Sequence, residues 1–178
     1  MFQIEEWTPA LGSGALDLEM LAGVLHNVVH NGGTVSFILP FTETDARAYW
    51  DKVAQAVEHG TRRVLVARCE GRIAGTVQLE LGTPPNQKHR AEIMKLLVHS
   101  DFRRRGIARA LMEQVEQMAA AEGRTLLTLD TRTGSFAEPL YLSMGYVVAG
   151  RIPGFSREPD CDVLSPTTIL YKQIRAAA

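Results

Sequence analysis

The segment His99–Met112 has the sequence HSDFRRRGIARALM. Three consecutive arginines and a glycine precede an apolar stripe in which Ile107, Leu111 and Val115 recur at helical spacing. Positive side chains at a helix N-terminus face the positive end of the helix dipole and are disfavoured there. The segment therefore predicts that an anion binds at the start of this helix and offsets the unfavourable charge.

The residues around this turn indicate what kind of anion it binds. The strand-like run AEIMKLLV at 91–98 leads into the turn, and a helix that follows a strand exposes unpaired N–H groups. Gly106 lets a ligand approach the backbone closely, Ala108 is small, and the arginines add charge-assisted donors to phosphate oxygens. We predict a bound diphosphate, although the chain has neither a GxxxxGK[ST] nor a GxGxxG motif. On local sequence alone, three arginines that merely solvate a loop are an equally good interpretation.

Size and composition bound the class of protein. The chain has 178 residues, of which 46% are hydrophobic and 22% charged, as expected for a single domain over residues 1–178. A net charge of −1 argues against a nucleic-acid-binding protein. Cys69 and Cys161 form no CxxC pair, which favours free thiols while leaving one disulfide open. Without a signal-peptide pattern or an apolar run of about 18 residues, we expect a cytoplasmic protein with no membrane partner.

The hydrophobic pattern predicts a mixed α/β fold with about seven strands and four helices. Ser135 and Glu138 have capping-box spacing at the start of the last helix, and Gly145 suits its C-terminal end. The predicted helices cover 15–30, 42–60 with Thr42 or Thr44 as the cap, the segment after Gly106, and 135–144. The predicted strands are FQIEEW at 2–7, the hairpin arms of RRVLVARCEGRIAGTVQLEL at 62–81, AEIMKLLV at 91–98, RTLLTLDT at 124–131, YVVAGRI at 146–152 and TTILYKQI at 167–174.

Two motifs resemble those of the GCN5-related N-acetyltransferase (GNAT) superfamily. Residues 103–108, RRRGIA, match its [Arg/Gln]-x-x-Gly-x-[Gly/Ala] signature, and LYLSMGY at 140–146 resembles its second, Leu-Tyr-x-x-x-Gly-[Phe/Tyr] motif. The core resemblance runs from about Arg63 to Tyr146. It implies the GNAT fold, with a central mixed, mostly antiparallel sheet, and an enzyme that uses acetyl-CoA as co-substrate. Gly134 departs from the pattern, because many members have Asn there and use it to bind the cofactor.

A closer resemblance, to tabtoxin-resistance acetyltransferases, extends over almost the whole chain. It rests on HNGGTVSFILPF at 30–41, AEIMKLLV at 91–98, LLTLDT at 126–131 and RIPGFSREPDCDVLSPTTILYK at 151–172. Those enzymes acetylate the amine of an amino-acid-like β-lactam toxin. The resemblance therefore implies transfer to the primary amine of a small, amino-acid-like acceptor, with a role in toxin or antibiotic resistance.

The superfamily resemblance also implies which residues contact acetyl-CoA. The backbone from Leu96 to Val98 is expected to pair with the pantetheine arm as though the arm were a further strand. One N–H group there would polarise the thioester carbonyl. The implied cofactor-binding residues are Leu96, Leu97, Val98, Arg103, Arg104, Arg105, Gly106, Ile107, Ala108, Arg109 and Ala137.

Three side chains are candidates for catalysis. The resemblance places Tyr141 at the cofactor sulfur, where a phenol with a pKa of about 10 is a reasonable acid for the departing thiolate; a core tyrosine is the alternative. Asp130 lies near the end of an apolar run, so it is expected to receive the amine proton or bind the acceptor ammonium. Its alternative role is to cap the following turn.

Glu92 is the third candidate, because histone-modifying members of the superfamily carry a general-base glutamate at the matching position. Strand alternation places Glu92, Met94, Leu96 and Val98 on one face, unless a bulge intervenes. As a base, Glu92 would act directly or through a water molecule. The alternative is an exposed carboxylate at a strand end.

For the acceptor pocket, the candidates are Phe37, Phe41 and the loop at 155–166. Glu158, Asp160 and Asp162 in that loop suit a cationic or zwitterionic acceptor, or else form a solvated acidic surface. His26 and His30 are four residues apart on a helix, but with no HExxH motif we predict no metal site. Neither cysteine lies in a nucleophile motif, which favours direct transfer in a ternary complex.

Three other functions stay open from the sequence. A protein or peptide amine is the rival acceptor, and a wide groove would favour it, whereas a pocket closed by the 31–41 and 153–165 loops would favour a small molecule. A non-catalytic CoA-binding regulatory module is the second alternative. A nucleic-acid-binding protein is the third and the least compatible with the charge. A homodimer is common among such enzymes, but the sequence does not specify one.

Overall fold

In the computed structural model, which describes residues 1–9 and 14–176, seven strands and four α-helices form the described part of the chain. Short 3₁₀ turns cover Pro85–Gln87 and Ser100–Phe102. The helices are α1 (Gly14–His30), α2 (Glu43–Glu58), α3 (Ile107–Ala121) and α4 (Glu138–Ser143). The strands are β1 (Gln3–Trp7), β2 (Arg62–Cys69), β3 (Arg72–Glu80), β4 (Arg90–Val98), β5 (Leu126–Arg132), β6 (Val147–Arg157) and β7 (Leu164–Gln173).

The seven strands form one sheet in the order β1-β2-β3-β4-β5-β7-β6. Of the strand pairs described, β4 and β5 are parallel and the others antiparallel, which confirms the predicted mixed, mostly antiparallel sheet. β6 runs five residues further than the predicted YVVAGRI segment, to Arg157. It continues through Pro153 because β6 is an edge strand, where a missing N–H group costs no ladder hydrogen bond.

The helices cover the two faces of the sheet with separate cores. α1 and α2 pack on one face, the α1/α2 face, around Leu21, Leu25 and Trp50. α3 packs on the other face, the α3/α4 face, through Leu111 and Val115, together with α4 and its buried tyrosine. None of the helices in the described ranges is long and apolar enough to cross a membrane.

β4 and β5 part soon after they meet. Pairing is confined to Arg90, Ala91 and Glu92 of β4, which face residues 126–128 of β5. From Ile93 onward β4 keeps its partner β3 but has no partner on the other edge within the described ranges. The parting of two parallel strands leaves a cleft through the sheet, with backbone N–H and C=O groups of β4 along one wall.

A β-bulge at Lys95 and Leu96 changes which way the end of β4 faces. Gln78 pairs with Met94 and Thr76 pairs with Leu97, so two residues of β4 stand opposite one residue of β3. Lys95 takes a left-handed backbone conformation, with φ of 52°.

The predicted alternation along β4 is therefore wrong beyond Met94. Leu96 and Val98 pack against the core of the α3/α4 face, whereas Leu97 joins the α1/α2 core. Ile93 packs on the α3/α4 face, which puts its neighbour Glu92 on the opposite face from Leu96 and Val98. The extra residue of the bulge reverses the side-chain direction, a change that side-chain spacing alone does not reveal.

Candidate active site in the cleft between β4 and β5

The turn before α3 presents a row of backbone donors. Arg104 and Gly106 have φ of 63° and 81°, and α3 begins at Ile107. Alternating left-handed residues turn successive N–H groups toward one side and form an anion-binding concavity. Within the described ranges, no group accepts a hydrogen bond from the backbone N–H groups of residues 104–109. A Cβ added at Gly106 would meet no atom within 4 Å, so the backbone is open to a ligand.

The residues of this turn contribute in different ways. Ile107 is 2% exposed, so its side chain lies in the core and only its N–H group faces the turn. Arg105 donates to the Asp101 carbonyl at 3.1 Å and stacks on Phe102, and Arg109 donates to the Ser143 hydroxyl at 2.8 Å. Arg103 and Arg104 are exposed and have no side-chain partner in the part of the chain that the structure describes. These two are the arginines of the run that are free to meet a phosphate.

The unpaired edge of β4 lies directly N-terminal to this turn. Leu97 and Val98 pair with Thr76 and Gly75 of β3 on their other side. The edge of residues 96–98 that faces β5 can therefore accept an extended ligand as a further strand. A ligand held by the turn and by this edge would enter the cleft from the α3/α4 face.

Tyr141 lies in α4 within the core of the α3/α4 face. Its side chain is 6% exposed and its ring meets Tyr146 edge-on, with the ring centroids 5.9 Å apart. Burial raises the pKa of Tyr141 above its ordinary value, and the negative charge of Asp130 raises it further. The hydroxyl has no hydrogen-bond partner in the described ranges and stays protonated at neutral pH, so it is a free donor.

Asp130 lies within β5, before the strand ends at Arg132. Its Oδ2 atom accepts a hydrogen bond from the Thr167 hydroxyl of β7 at 2.9 Å, and the carboxylate is exposed. The alternative role as a turn cap is therefore not what the structure shows. Leu127 and Leu129 pack on the α3/α4 face, which places Asp130 on the α1/α2 face. The charge of Asp130 therefore raises the pKa of Tyr141 from the opposite face of the sheet.

Glu92 lies where the two strands part. It pairs with Thr128, the last residue of β5 in register with β4, so Glu92 and Asp130 share the α1/α2 face. The Glu92 side chain is 42% exposed, and its nearest cation is Arg90, at 4.0 Å. The carboxylate is thus a partly exposed, loosely paired group near the start of β4.

Lys95 is a residue that the sequence analysis missed. Its Nζ atom donates to the Ser36 hydroxyl at 2.9 Å and lies 5.8 Å from the centre of the Phe37 ring. Burial lowers the pKa of Lys95, and the charges of Asp130 and Glu92 act in the opposite direction. Simple alternation along β4 would place Lys95 on the opposite face of the sheet from Asp130 and Glu92. The bulge brings Lys95 to their face, and no sequence signal marks that bulge.

The two predicted aromatic residues of the acceptor side occupy different positions. Phe37 is half-buried beside Lys95, whereas Phe41 is 6% exposed and lies in the α1/α2 core. Their ring centroids are 4.6 Å apart. Phe41 therefore packs behind Phe37, and of these two rings only that of Phe37 is partly exposed.

The predicted acidic loop is shorter than expected, and its Glu158 carboxylate is buried. Residues 155–157 and 164–166 belong to β6 and β7, which leaves 158–163 as the connection. Glu158 is buried and accepts from Arg132 at 2.7 Å and from the Ser165 hydroxyl, and Asp162 pairs with Arg157 at 2.8 Å. The ion pair neutralises the buried Glu158 carboxylate, so the interpretation as a cation-binding surface is wrong for Glu158. Asp162 stays exposed in a surface ion pair, as the alternative of a solvated acidic surface predicted.

Two loops meet on the α1/α2 side of the cleft. The Leu39 N–H group donates to the Pro159 carbonyl at 2.7 Å, beside a depression of about 250 Å³. The first loop is tied to β4 by the Lys95–Ser36 bond, and the second to β5 by the Glu158–Arg132 ion pair. Since β4 and β5 form the two walls of the cleft, this chain of contacts bridges it.

The start of α4 is held by Glu138, in a way that differs from the prediction. The capping residue is Ala137, which has no side-chain cap, so the predicted Ser135 capping box is wrong. Glu138 instead accepts from the Gly134 N–H group at 2.6 Å and from Arg151 at 3.1 Å, and the Gly134 contact lowers the pKa of Glu138. These contacts fix the start of α4, the helix that carries Tyr141.

Comparison with known proteins agrees with this geometry. A model of the acetyltransferase (GNAT) family matches residues 34–146. The chain belongs to this family. Acetyl-CoA is the co-substrate that the family uses, and the open turn and strand edge fit its diphosphate and its extended arm. The GNAT fold and the enzyme class predicted from the sequence are therefore confirmed.

Two relatives show how far sequence similarity extends. An uncharacterized N-acetyltransferase in the hisH-hisA intergenic region of Azospirillum brasilense is 32% identical over 125 residues, which cover 69% of this chain and 73% of that protein. Human N-acetyltransferase 8 is 38% identical over 88 residues, 48% of this chain. The match spans only 39% of the human protein.

Solved structures share the fold at low sequence identity. Ribosomal-protein-alanine N-acetyltransferase from Brucella melitensis superposes with a TM-score of 0.78 at 21% identity, over 97% of this chain and 99% of that one. The yncA protein from Salmonella typhimurium, solved with its cofactor acetyl-CoA, gives 0.77 at 16% identity, over 100% and 96%. At such identities the likeness establishes the fold of this GNAT chain and leaves its acceptor open.

Proposed function

We propose that this GNAT chain transfers the acetyl group of acetyl-CoA to the primary amine of a small, amino-acid-like acceptor, by direct transfer in a ternary complex. The observation that carries the acceptor size is the bridge between the two loops through Leu39 and Pro159. A peptide needs a continuous open groove along the α1/α2 side of the cleft, and the bridge interrupts such a groove while leaving room for a pocket. A small molecule needs only a pocket.

The proposal assigns acetyl-CoA to the α3/α4 side. The N–H groups of residues 104–109 hold its diphosphate, with Arg103 and Arg104 as additional donors. Leu96, Leu97 and Val98 bind its extended arm through their backbone, and Ala108, Arg109 and Ala137 line the same side. Acetyl-CoA supplies the activated acetyl thioester, and holding it next to the amine provides much of the rate acceleration.

We assign a different step of the transfer to each of the polar groups that line the cleft. Asp130 or Glu92, directly or through water, accepts the proton that the acceptor amine loses when its nitrogen bonds to the acetyl carbon. A β4 N–H group stabilises the negative charge that develops on the acetyl oxygen. Tyr141 donates to the sulfur as the carbon–sulfur bond breaks. Because its raised pKa lies above that of an ordinary thiol, about 8.5, Tyr141 acts mainly as a hydrogen-bond donor.

The proposal also includes an acceptor class, the bounds of the domain and a location in the cell. The resemblance to tabtoxin-resistance enzymes supports a toxin-like or antibiotic-like amino acid among the acceptors. We propose a single acetyltransferase domain over residues 1–178 and a cytoplasmic location, supported by the composition. A homodimer stays a prediction.

A screen of amines with acetyl-CoA, followed by thiol release, tests this function. The panel contains free amino acids, amino-acid amides, short peptides with N-terminal alanine and peptides with internal lysine. We expect transfer to free amino acids or their analogues. Transfer to peptides alone would replace the proposal with a peptide N-acetyltransferase, and CoA binding without any transfer would indicate a regulatory module.

Replacing Asp130 with asparagine is expected to lower kcat/KM for the amine by about 100-fold, because the variant cannot accept the proton. Asparagine keeps an oxygen for the Thr167 hydroxyl, so thermal stability is expected to stay close to that of the parent. The measurement is a pH–rate profile, with Asp51→Asn on the exposed surface of α2 as the matched control. An unchanged rate and profile would make Asp130 a structural residue.

A further inference from the structure

Lys95 stands in a backbone conformation that does not suit a lysine. Both Lys95 and its partner Ser36 have left-handed backbones, with φ of 52° and 76°. A residue other than glycine or asparagine is disfavoured in this region, because its Cβ crowds the backbone. The bulge by itself would be more stable with glycine, so the reason for a lysine lies in its side chain.

The Lys95 ammonium is half-buried and incompletely paired. One of its three N–H donors is used by Ser36, and no described carboxylate lies within the 4.0 Å of an ion pair. A partly buried charge with no counter-ion in direct contact is unfavourable. Burial lowers the pKa of Lys95, which agrees with this arrangement. An anion that enters the cleft from the α1/α2 side would satisfy the two remaining donors.

Charges of both signs therefore meet on the acceptor side of the cleft. The strand register places the carboxylates of Asp130 and Glu92 on the α1/α2 face. Lys95 lies on the same face beside Phe37, and both carboxylates act on its charge. A zwitterion has the complementary pattern. Its ammonium group would lie with Asp130, next to the reaction centre, and its acidic group with Lys95.

We propose that Lys95 binds the acidic group of the acceptor and so selects amines that carry a carboxylate beside the amino group. This inference rests on the proposed function and names its substrate class. A peptide N-terminus has an amide where the free amino acid has its carboxylate, and it would leave the Lys95 charge without a partner. Lys95 is thus a specificity-determining residue, and proton transfer is assigned to other groups.

The experiment compares matched acceptors on matched variants. Each free amino acid (methionine, phenylalanine, lysine and glycine) is assayed beside its own primary amide, with kcat and KM determined separately. Lys95→Met keeps the length of the side chain and removes its charge. We expect it to raise KM for the acids by about 10- to 100-fold, as for a lost charged hydrogen bond, and to leave KM for the amides unchanged. Lys95→Arg restores the preference for the acids.

Two controls separate recognition from structure. Lys52→Met removes an exposed lysine on α2 and is expected to change neither KM nor the melting temperature. Ser36→Gly suits the left-handed backbone, removes the tie to the loop and keeps the ammonium, so the preference for acids is expected to survive. If Ser36→Gly abolishes the preference as fully as Lys95→Met does, Lys95 acts by holding the loop and the inference is overturned.

Failure of this inference is distinguishable from failure of the proposed function. Equal use of acids and amides by the parent enzyme, or equal losses on both in Lys95→Met, overturns the role of Lys95 and leaves acetyl transfer intact. Transfer to no member of any pair overturns the proposed small-molecule acceptor and this inference with it.

Discussion

Replacing Tyr141 with phenylalanine is expected to lower kcat by about 100- to 1,000-fold, because the departing sulfur loses the hydroxyl that stabilises its developing negative charge. The affinity for acetyl-CoA is expected to stay nearly unchanged, because the hydroxyl is a small part of the contact surface. We expect this substitution to leave the protein's packing and hydrogen bonds unchanged, because the ring is buried and the hydroxyl has no hydrogen-bond partner in the described ranges. Single-turnover rates and CoA binding by calorimetry measure the two effects separately.

Tyr146→Phe is the matched control. The two tyrosine rings touch in the same core, and Tyr146 is buried to a similar degree, with 3% exposure against 6%. Its ring also lies near Lys172, a cation–π contact that phenylalanine keeps. Both substitutions therefore remove a buried phenolic oxygen from the same core, although the Tyr146 hydroxyl has the Glu116 carboxylate as its neighbour and the charge that acts on Tyr141 is that of Asp130. If Tyr141→Phe turns over as fast as the Tyr146→Phe control, Tyr141 has no part in the reaction.

The second large effect is expected from Gly106→Val, which we predict weakens CoA binding by about 10- to 100-fold, the equivalent of one or two charge-assisted hydrogen bonds. The added side chain meets no protein atom within 4 Å of its Cβ, so its neighbours impose no clash. It does occupy the space through which a diphosphate reaches the N–H groups of the turn. Binding is measured by calorimetry and stability by the melting temperature.

Gly123→Val controls for the strain that valine introduces. Gly106 and Gly123 flank the two ends of α3, with φ of 81° and 69°, and a Cβ added at either position would meet no atom within 4 Å. A β-branched residue is equally unsuited to both backbones. Both variants are expected to lose similar stability, and only Gly106→Val to lose CoA affinity. Equal affinities in the two variants would contradict a diphosphate at this turn.

The elements that were predicted correctly depend on neighbours in sequence. α2 begins with a capping box in which Thr42 and Asp45 bond to each other's backbone, as the choice of Thr42 or Thr44 anticipated. The turn at Gly106 was predicted from an unfavourable run of arginines beside a helix dipole, and the structure leaves its N–H groups open within the described ranges. Such signals are local, because the atoms that satisfy one another are three or four residues apart.

The predictions that failed depend on partners far away in the chain. The Ser135 capping box gave way to a Glu138 side chain that binds Gly134 and also Arg151, which lies on another strand. Glu158 was expected to bind a cationic or zwitterionic acceptor or to lie in a solvated acidic surface, but it is buried and pairs with Arg132 of β5. In both cases the predicted role of a carboxylate rested on its neighbours in sequence, but an arginine on a strand neutralises it, and local spacing carries no information about that arginine.

The sequence by itself determined the family, through its resemblance to two known motifs. It also determined the alternation of strands and helices and the turn at Arg103–Ala108, because these follow from side-chain periodicity and backbone preference over short distances. Only the tertiary structure decided how the acceptor side of the cleft is built. The parting of β4 from β5 and the bulge at Lys95 arise from pairing between strands, and they bring Lys95 to the same face as Asp130 and Glu92. One extra residue in a strand reverses every side chain after it, so the identity of the groups that meet an acceptor depends on register.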